Sequence, residues 1–235
     1  MGQGFILQEV LSYNMIMLRI LFALSGVLFL LLCSEYLWRK KIIRGEYARK
    51  FVHIFVGVFV AFWPYFLTFR QIKFLAIAFI LVLAISRYFK IFHAIHDIKR
   101  PSLGALLYPI AILVLATYAD QKWIFTVGVL FEAVADGIAA VAGKLWGNRW
   151  FHYIVYGNKK TFIGSVAFLF GAYIALCVGY LVGGGEAMLT IPLVVFLWMP
   201  LSAAILEAST PFGFDNLFTP IYVMLVLNLA QTNII

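Results

Sequence analysis

The sequence predicts an all-α protein, a polytopic bundle of seven or eight transmembrane helices in which residues 1–235 form a single integral-membrane domain. Three observations lead there. Of 235 residues, 64% are apolar and only 12% are charged, whereas a soluble domain has roughly half and a quarter respectively. The apolar residues fall in runs of about twenty, the length at which a helix crosses the hydrocarbon core. The connections between runs are only a few residues long, which leaves no room for a separate soluble catalytic domain.

Taken in order, the spans fall at roughly 15–38, 51–67, 74–90, 103–118, 123–146, 162–183, 189–208 and 217–231. The first is too long for a signal-peptide core and is followed by Arg39, Lys40 and Lys41, so it reads as a retained span. The second is short and interrupted by Pro64, and the last is weakly bounded, which keeps the count at seven or eight. The fifth carries Gly137, Ala139, Ala140, Ala142 and Gly143, small residues that let transmembrane helices approach closely. Cys33 and Cys177 lie inside apolar runs, where each reads as a small packing residue.

The basic residues are distributed unevenly. Taking the loops after spans one, three, five and seven, one side collects Arg39, Lys40, Lys41, Arg44, Arg49, Lys50, Arg87, Lys90, Lys99, Arg100, Lys144, Arg149, Lys159 and Lys160. The other side holds Arg70, Lys73 and Lys122. The positive-inside rule then makes the first set cytoplasmic and the N-terminus external. The net charge of +8 is thereby explained by topology and anionic lipid, and no nucleic-acid partner is expected. The pairs Arg49-Lys50 and Lys159-Lys160 each open an apolar run, at a helix mouth that already favours anions.

Six of the ten acids lie in loops or at span edges where solvation explains them, while Glu132 and Asp136 stand within the fifth span, Glu207 near the end of the seventh and Asp215 at the start of the eighth. A charged group deep in a span costs on the order of 2.5 to 3.5 kcal/mol on insertion scales, so these four mark a site and call for a cation. Glu132 and Asp136 are four apart and share one helix face. Together with Asn216 and the opposing lysines they make the ingredients of a divalent-ion and polyphosphate site, because Mg²⁺ takes carboxylate, phosphate and water oxygens. Asp215-Asn216 also suits an N-cap for the last span. His53 lies four after Arg49 and is a secondary candidate. His93, His96 and Asp97 read as a solvated segment. GNKKT at 157–161 lacks the glycine spacing of a Walker A phosphate loop.

The ordered segments RKFVH (49–53), KRPSLGALLYP (99–109), ADGIAAVAGKLWG (135–147), NKKTFIGS (158–165), LEAS (206–209) and FDN (214–216) resemble the CTP-dependent polyprenol kinase family, which includes dolichol, phytol and CTP-using diacylglycerol kinases. The resemblance covers about residues 49–220. It implies transfer of the γ-phosphoryl group of CTP to a membrane lipid alcohol, with Mg²⁺ or Mn²⁺, giving a lipid monophosphate and CDP. It puts phosphate and nucleotide contacts on Arg49, Lys50, Gly137, Gly143, Gly147, Lys159, Lys160, Thr161 and Gly164, and Lys144 is a further candidate beside them. Metal ligation falls on Asp136, Glu207, Asp215 and Asn216. Catalysis is expected from Asp136 and Lys160, with Glu132 or Asp136 as proton acceptor. One departure is visible: Ile163 stands where many members have Glu.

The small size favours an isoprenoid alcohol such as phytol, geranylgeraniol or a polyprenol, and the reading leaves room for a homodimer. Two rivals stand beside it. A CTP:phosphatidate cytidylyltransferase type of enzyme would release pyrophosphate instead of CDP. An ion-coupled transporter would relay protons through the buried acids but should show inverted repeats.

Overall fold

The computed structural model describes residues 2–89, 102–147, 151–156 and 158–232, with side chains described from Tyr13 onward apart from Asn158 and Gly184. His93, His96, Asp97 and the basic residues Lys90, Lys99, Arg100 and Arg149 lie outside the described residues. Each predicted apolar run carries a helix: α1 (Gly2–Arg39), α2 (Glu46–Ala61), α3 (Phe69–Phe89), α4 (Gly104–Tyr118), α5 (Lys122–Leu130) continued by α6 (Gly137–Trp146), α7 (Phe162–Gly179), the short α8 (Gly185–Leu189), α9 (Leu193–Ser209) and α10 (Asp215–Gln231). Pro64 stops the second run as expected. α2 ends at Ala61, and Trp63–Tyr65 forms a 3-10 turn.

Four stretches have the length and apolarity to cross a membrane: Tyr13–Arg39, Phe69–Phe89, Lys122–Trp146 and Phe162–Gly183. Gly104–Tyr118 and Leu193–Ser209 are apolar but shorter. A helix of 15 to 17 residues, as in α2, α4, α9 and α10, rises only about 22–26 Å, less than the ~30 Å hydrocarbon core. Their polar ends therefore sit close to the apolar layer.

The α5–α6 stretch is the axis of the bundle. Its most apolar window is 78% buried, against 11% for α1 at the periphery. Helices α2, α7 and α10 pack around it, and α4 is wedged between α3 and α10. Trp123, Phe125, Phe131, Phe168, Leu115, Met199 and Met224 fill the core. Between α5 and α6 the helix widens into a π-turn over Phe131–Asp136, a feature that re-aims side chains and recurs at functional sites. It holds both predicted acids of this span.

Two expectations are corrected. The fold is nearly all-α instead of purely so. Strands β1 (His152–Val155) and β2 (Asn158–Thr161) form an antiparallel hairpin, with His152 opposite Thr161 and Val155 opposite Asn158. Thr161 then leaves the strand in extended conformation and caps α7, its hydroxyl accepting the Gly164 N–H at 3.2 Å. Cys177 is exposed on the outer surface and does not pack in the core, while Cys33 is half-buried.

Gly171 of α7 touches the π-turn backbone: a Cβ there would stand 2.6 Å from Ala135 Cα. Backbone at that distance does not yield as a side chain would, so Gly171→Val should destabilise the protein by about 1–3 kcal/mol. Thermal unfolding in detergent should show a lowered midpoint, with Val166→Leu on the exposed face of the same helix unchanged.

Candidate functional site

Four connections meet at one side of the bundle: the start of α2, the segment entering α4, the β-hairpin and the loop from α9 to α10. They enclose a cavity of about 280 Å³. Its wall carries the acids Glu46, Asp136, Glu207 and Asp215, the cations Arg49, Lys50, Lys144, Lys159 and Lys160, and the hydroxyls of Ser102, Tyr153, Thr161, Ser165 and Thr210. The loop from α9 is tied to α4 by the Leu103 N–H, which donates to the Phe212 carbonyl at 2.9 Å.

Within this wall the charges are paired across elements far apart in sequence. Lys50 of α2 donates to Asp136 and forms a buried ion pair with it. One turn further along α2, His53 Nε2 lies 3.3 Å from Asp136 Oδ2 and donates to the Glu132 carbonyl at 2.9 Å. A donor at Nε2 leaves Nδ1 as the ring's free nitrogen. From the hairpin, Lys160 Nζ donates to Glu207 Oε1 at 2.5 Å and to the Glu207 carbonyl at 2.6 Å, with Asp215 Oδ2 at 3.9 Å. Burial opposes the charge on Lys160, but Glu207 and then Asp215 outweigh it and hold its ammonium above the usual lysine range.

The carboxylates of Asp136, Glu207 and Asp215 each offer an oxygen within 4.8 Å of the others. An all-oxygen donor set of this kind suits a hard divalent cation. Glu132 lies beside them, completely buried, and among the described residues neither of its oxygens has a hydrogen-bond partner. His53 Nε2 lies 3.5 Å from its Oε1. Leaving a buried polar group unsatisfied costs ~1–3 kcal/mol, more when it is charged, so such an atom is expected where a ligand is received.

The structure brings Arg49, Lys50, Asp136, Gly143, Lys144, Lys159, Lys160, Thr161, Gly164, Glu207, Asp215 and Asn216 to this cavity. Arg49 is held by Glu46 at 2.9 Å, and the Lys144 ammonium lies 4.3 Å from the centre of the Tyr47 ring. Gly137 and Gly147, read from the sequence as phosphate contacts, are not among the residues that line the cavity. Gly137 packs on Ile54, and Gly147 on Thr161, where a Cβ would come within 2.4 Å of Cγ2. These glycines let α6 close on α2 and on the hairpin. Asn216 is buried, with its amide nitrogen committed to the Gly104 carbonyl at 3.0 Å. The N-cap position of α10 belongs to Phe214, while Asp215 is the first helical residue and accepts the Asn216 N–H at 3.1 Å.

Sequence reasoning missed Tyr153, whose hydroxyl bonds Ser165 at 2.8 Å, together with Ser102 and Thr210. Ser165 closes the NKKTFIGS segment and was open to notice. Tyr153 becomes visible only once the hairpin is recognised.

No protein-family model matches the chain, and no solved structure matches it. It is 30% identical over 201 residues to a phytol kinase of Synechocystis sp., an alignment covering 81% of this chain and 82% of that one. It is 28% identical over 172 residues to the chloroplastic phytol kinase 1 of Arabidopsis thaliana, covering 67% of this chain and 56% of that one. With the apolar helices, these likenesses define an integral membrane protein of the lipid-alcohol kinase class. The chain belongs to the polyprenol and phytol kinase family.

Lys50 and Asp136 are each about 5% exposed at the side chain, so removing one partner strands the other. Lys50→Met should destabilise the protein by about 3–5 kcal/mol. Lys50→Met combined with Asp136→Asn should recover at least half of that loss in the same unfolding assay. Strictly additive losses would show that the two side chains are not coupled.

Proposed function

We propose that this protein transfers the γ-phosphoryl group of CTP to the hydroxyl of a membrane isoprenoid alcohol, phytol or a close relative, releasing a lipid monophosphate and CDP. The observation that carries the reading is the cavity in which four carboxylates, three of them clustered, and five cationic side chains face one another at the end of an apolar bundle. The two phytol kinases it resembles support the acceptor class. Residues 1–235 act as one kinase domain, and the basic loops orient the cavity to the cytoplasmic face, where CTP is found.

Asp136, Glu207 and Asp215 would hold Mg²⁺, or Mn²⁺, with Asn216 shaping the wall beside them. Bound there, it would neutralise charge on the triphosphate oxygens. Phosphoryl transfer asks mainly for positioning and charge neutralisation. Arg49, Lys50, Lys144, Lys159 and Lys160 surround the space the triphosphate would fill, and guanidinium and ammonium donors there stabilise charge spreading over the transferred group. The alcohol oxygen attacks the γ-phosphorus, the bond to the β–γ bridging oxygen breaks, and CDP leaves. The hydroxyl proton passes to Glu132 or Asp136. In a loose transition state a strong base is optional.

Protein in detergent or nanodiscs, given Mg²⁺, CTP or ATP, and a panel of phytol, geranylgeraniol, polyprenol and diacylglycerol, should yield CDP and an isoprenoid monophosphate. Release of pyrophosphate would instead make it a cytidylyltransferase. Asp136→Asn should lower kcat by about 10²–10³ while remaining a monodisperse, helical protein. Wild-type turnover in that variant would remove Asp136 from the mechanism.

A further inference from the structure

A second cavity, of about 110 Å³, lies between α1, α2, α3 and α4, and it shares Arg49 and Asn216 with the charged one. The two chambers therefore abut. Their chemistry is opposite. Along α2 the wall is formed by Arg49, Val52, His53, Val56 and Val60, a three-to-four spacing that marks one helix face. From Arg49 to Val60 this face runs roughly 16 Å at ~1.5 Å per residue. Every polar wall residue apart from Tyr108 and the indole of Trp63 lies at the shared end. The far end is floored by Trp63 and Phe79, whose ring centres are 6.2 Å apart, and flanked by the buried Ala76.

Tyr108 of α4 stands on this wall. Its ring packs on His53 at 5.0 Å, and its hydroxyl is buried without a hydrogen-bond partner among the described residues. That hydroxyl lies over Gly57, where a Cβ would meet both it, at 2.5 Å, and the Cβ of Ala133, the neighbour of Glu132. Among the described residues the carboxylate of Glu132 likewise accepts no hydrogen bond. Two buried polar groups without a hydrogen bond among the described residues thus lie near one another, Tyr108 on the slot wall beside His53 and Gly57, and Glu132 behind that wall. One can donate and the other accept, and an alcohol hydroxyl is both acceptor and donor.

We infer that this slot holds the hydrocarbon chain of the acceptor alcohol, with the hydroxyl end toward Glu132 and Tyr108 and the tail against Trp63 and Phe79. The inference rests on the kinase reading for the identity of the occupant. Tyr108 is then a positioning residue, orienting the hydroxyl toward the charged chamber. The length of the slot, ending on two aromatic rings, makes Ala76 a determinant of chain-length preference.

The test needs no turnover. An isoprenoid alcohol bearing a diazirine at the end remote from its hydroxyl is irradiated with the wild-type protein in phosphatidylcholine nanodiscs without nucleotide, and adducts are mapped by peptide mass spectrometry. Adducts should concentrate on Trp63, Ala76 and Phe79 and be displaced by excess phytol. Adducts spread over the outward faces of α1 and α3, or adducts at the slot that phytol does not displace, would overturn the assignment, the latter marking a bilayer acyl-chain site. In turnover, Ala76→Phe should lower the kcat/KM ratio of phytol over the short alcohol geraniol by about 10-fold or more. An equal ratio in wild type and variant would also overturn it. If the wild-type protein phosphorylates no alcohol with any nucleotide, the kinase reading fails, and the adduct map still decides whether the slot takes an isoprenoid chain.

Discussion

The structure depends on balancing carboxylates held where water does not reach. A charged group at membrane depth carries a penalty on the order of 2.5–3.5 kcal/mol, and Asp136 and Glu207 lie within apolar helices, with Asp215 at the entrance to another. Lys50 answers the first, and Lys160 answers the other two. Neither lysine is near its partner in sequence: one comes from α2 and the other from the hairpin. The requirement for counter-charge thus draws α2, the π-turn, β2, α9 and α10 to one point. With Glu46 and with Arg49, Lys144 and Lys159 in the same wall, the cavity gathers four acids and five cations, an electrostatic setting suited to a polyphosphate carrying a divalent cation.

Helix packing supplies the geometry that this balance needs. The axial α5–α6 stretch is apolar and buried on the α5 side, then passes through a π-turn before its small-residue half. The wider turn holds Glu132 and Asp136 against His53 of α2, and the glycines beyond it allow Thr161 to press against the helix. A bulky side chain at Gly147 would separate the hairpin from α6. Since the hairpin carries Lys160, close helix packing and charge pairing are one constraint seen from two sides. Glycines 137 and 147 serve the site by permitting approach, without facing the cavity themselves.

The helices and the acids were legible in the sequence because both are local signals. An apolar run declares its length, and Asp136 inside such a run is conspicuous whatever surrounds it. The stop at Pro64 was legible for the same reason. What was not legible depends on partners. The partner of Lys50 is 86 residues away, and no spacing rule connects them. The hairpin is only four residues per strand, too short for its alternation to stand out among apolar neighbours. Tyr108 sits in α4 among apolar residues and looks like core. Its unpaired hydroxyl emerges only when α2 and α4 are packed together. Cys177 faces outward although its run is apolar, because a membrane protein presents apolar residues both to its core and to its surroundings.

A reaction between a water-soluble phosphoryl donor and an acceptor dissolved in a bilayer poses a problem of place, since charge is stable on one side of the boundary and hydrocarbon on the other. Helices shorter than the membrane core address it by setting polar helix ends within reach of the apolar layer. In this chain α2 does both tasks along a single face. Its first turn presents Arg49 and Lys50 to the charged chamber, and its later turns present Val52, Val56 and Val60 to the apolar one. His53 sits between the two sets, contacting the π-turn that carries the acids. A helix rotated by even a quarter turn would separate the cations from Asp136 and turn the valines away from the slot. The register of α2 against the π-turn, set by the His53 to Glu132 hydrogen bond and the Lys50 to Asp136 pair, is therefore what joins the two chambers.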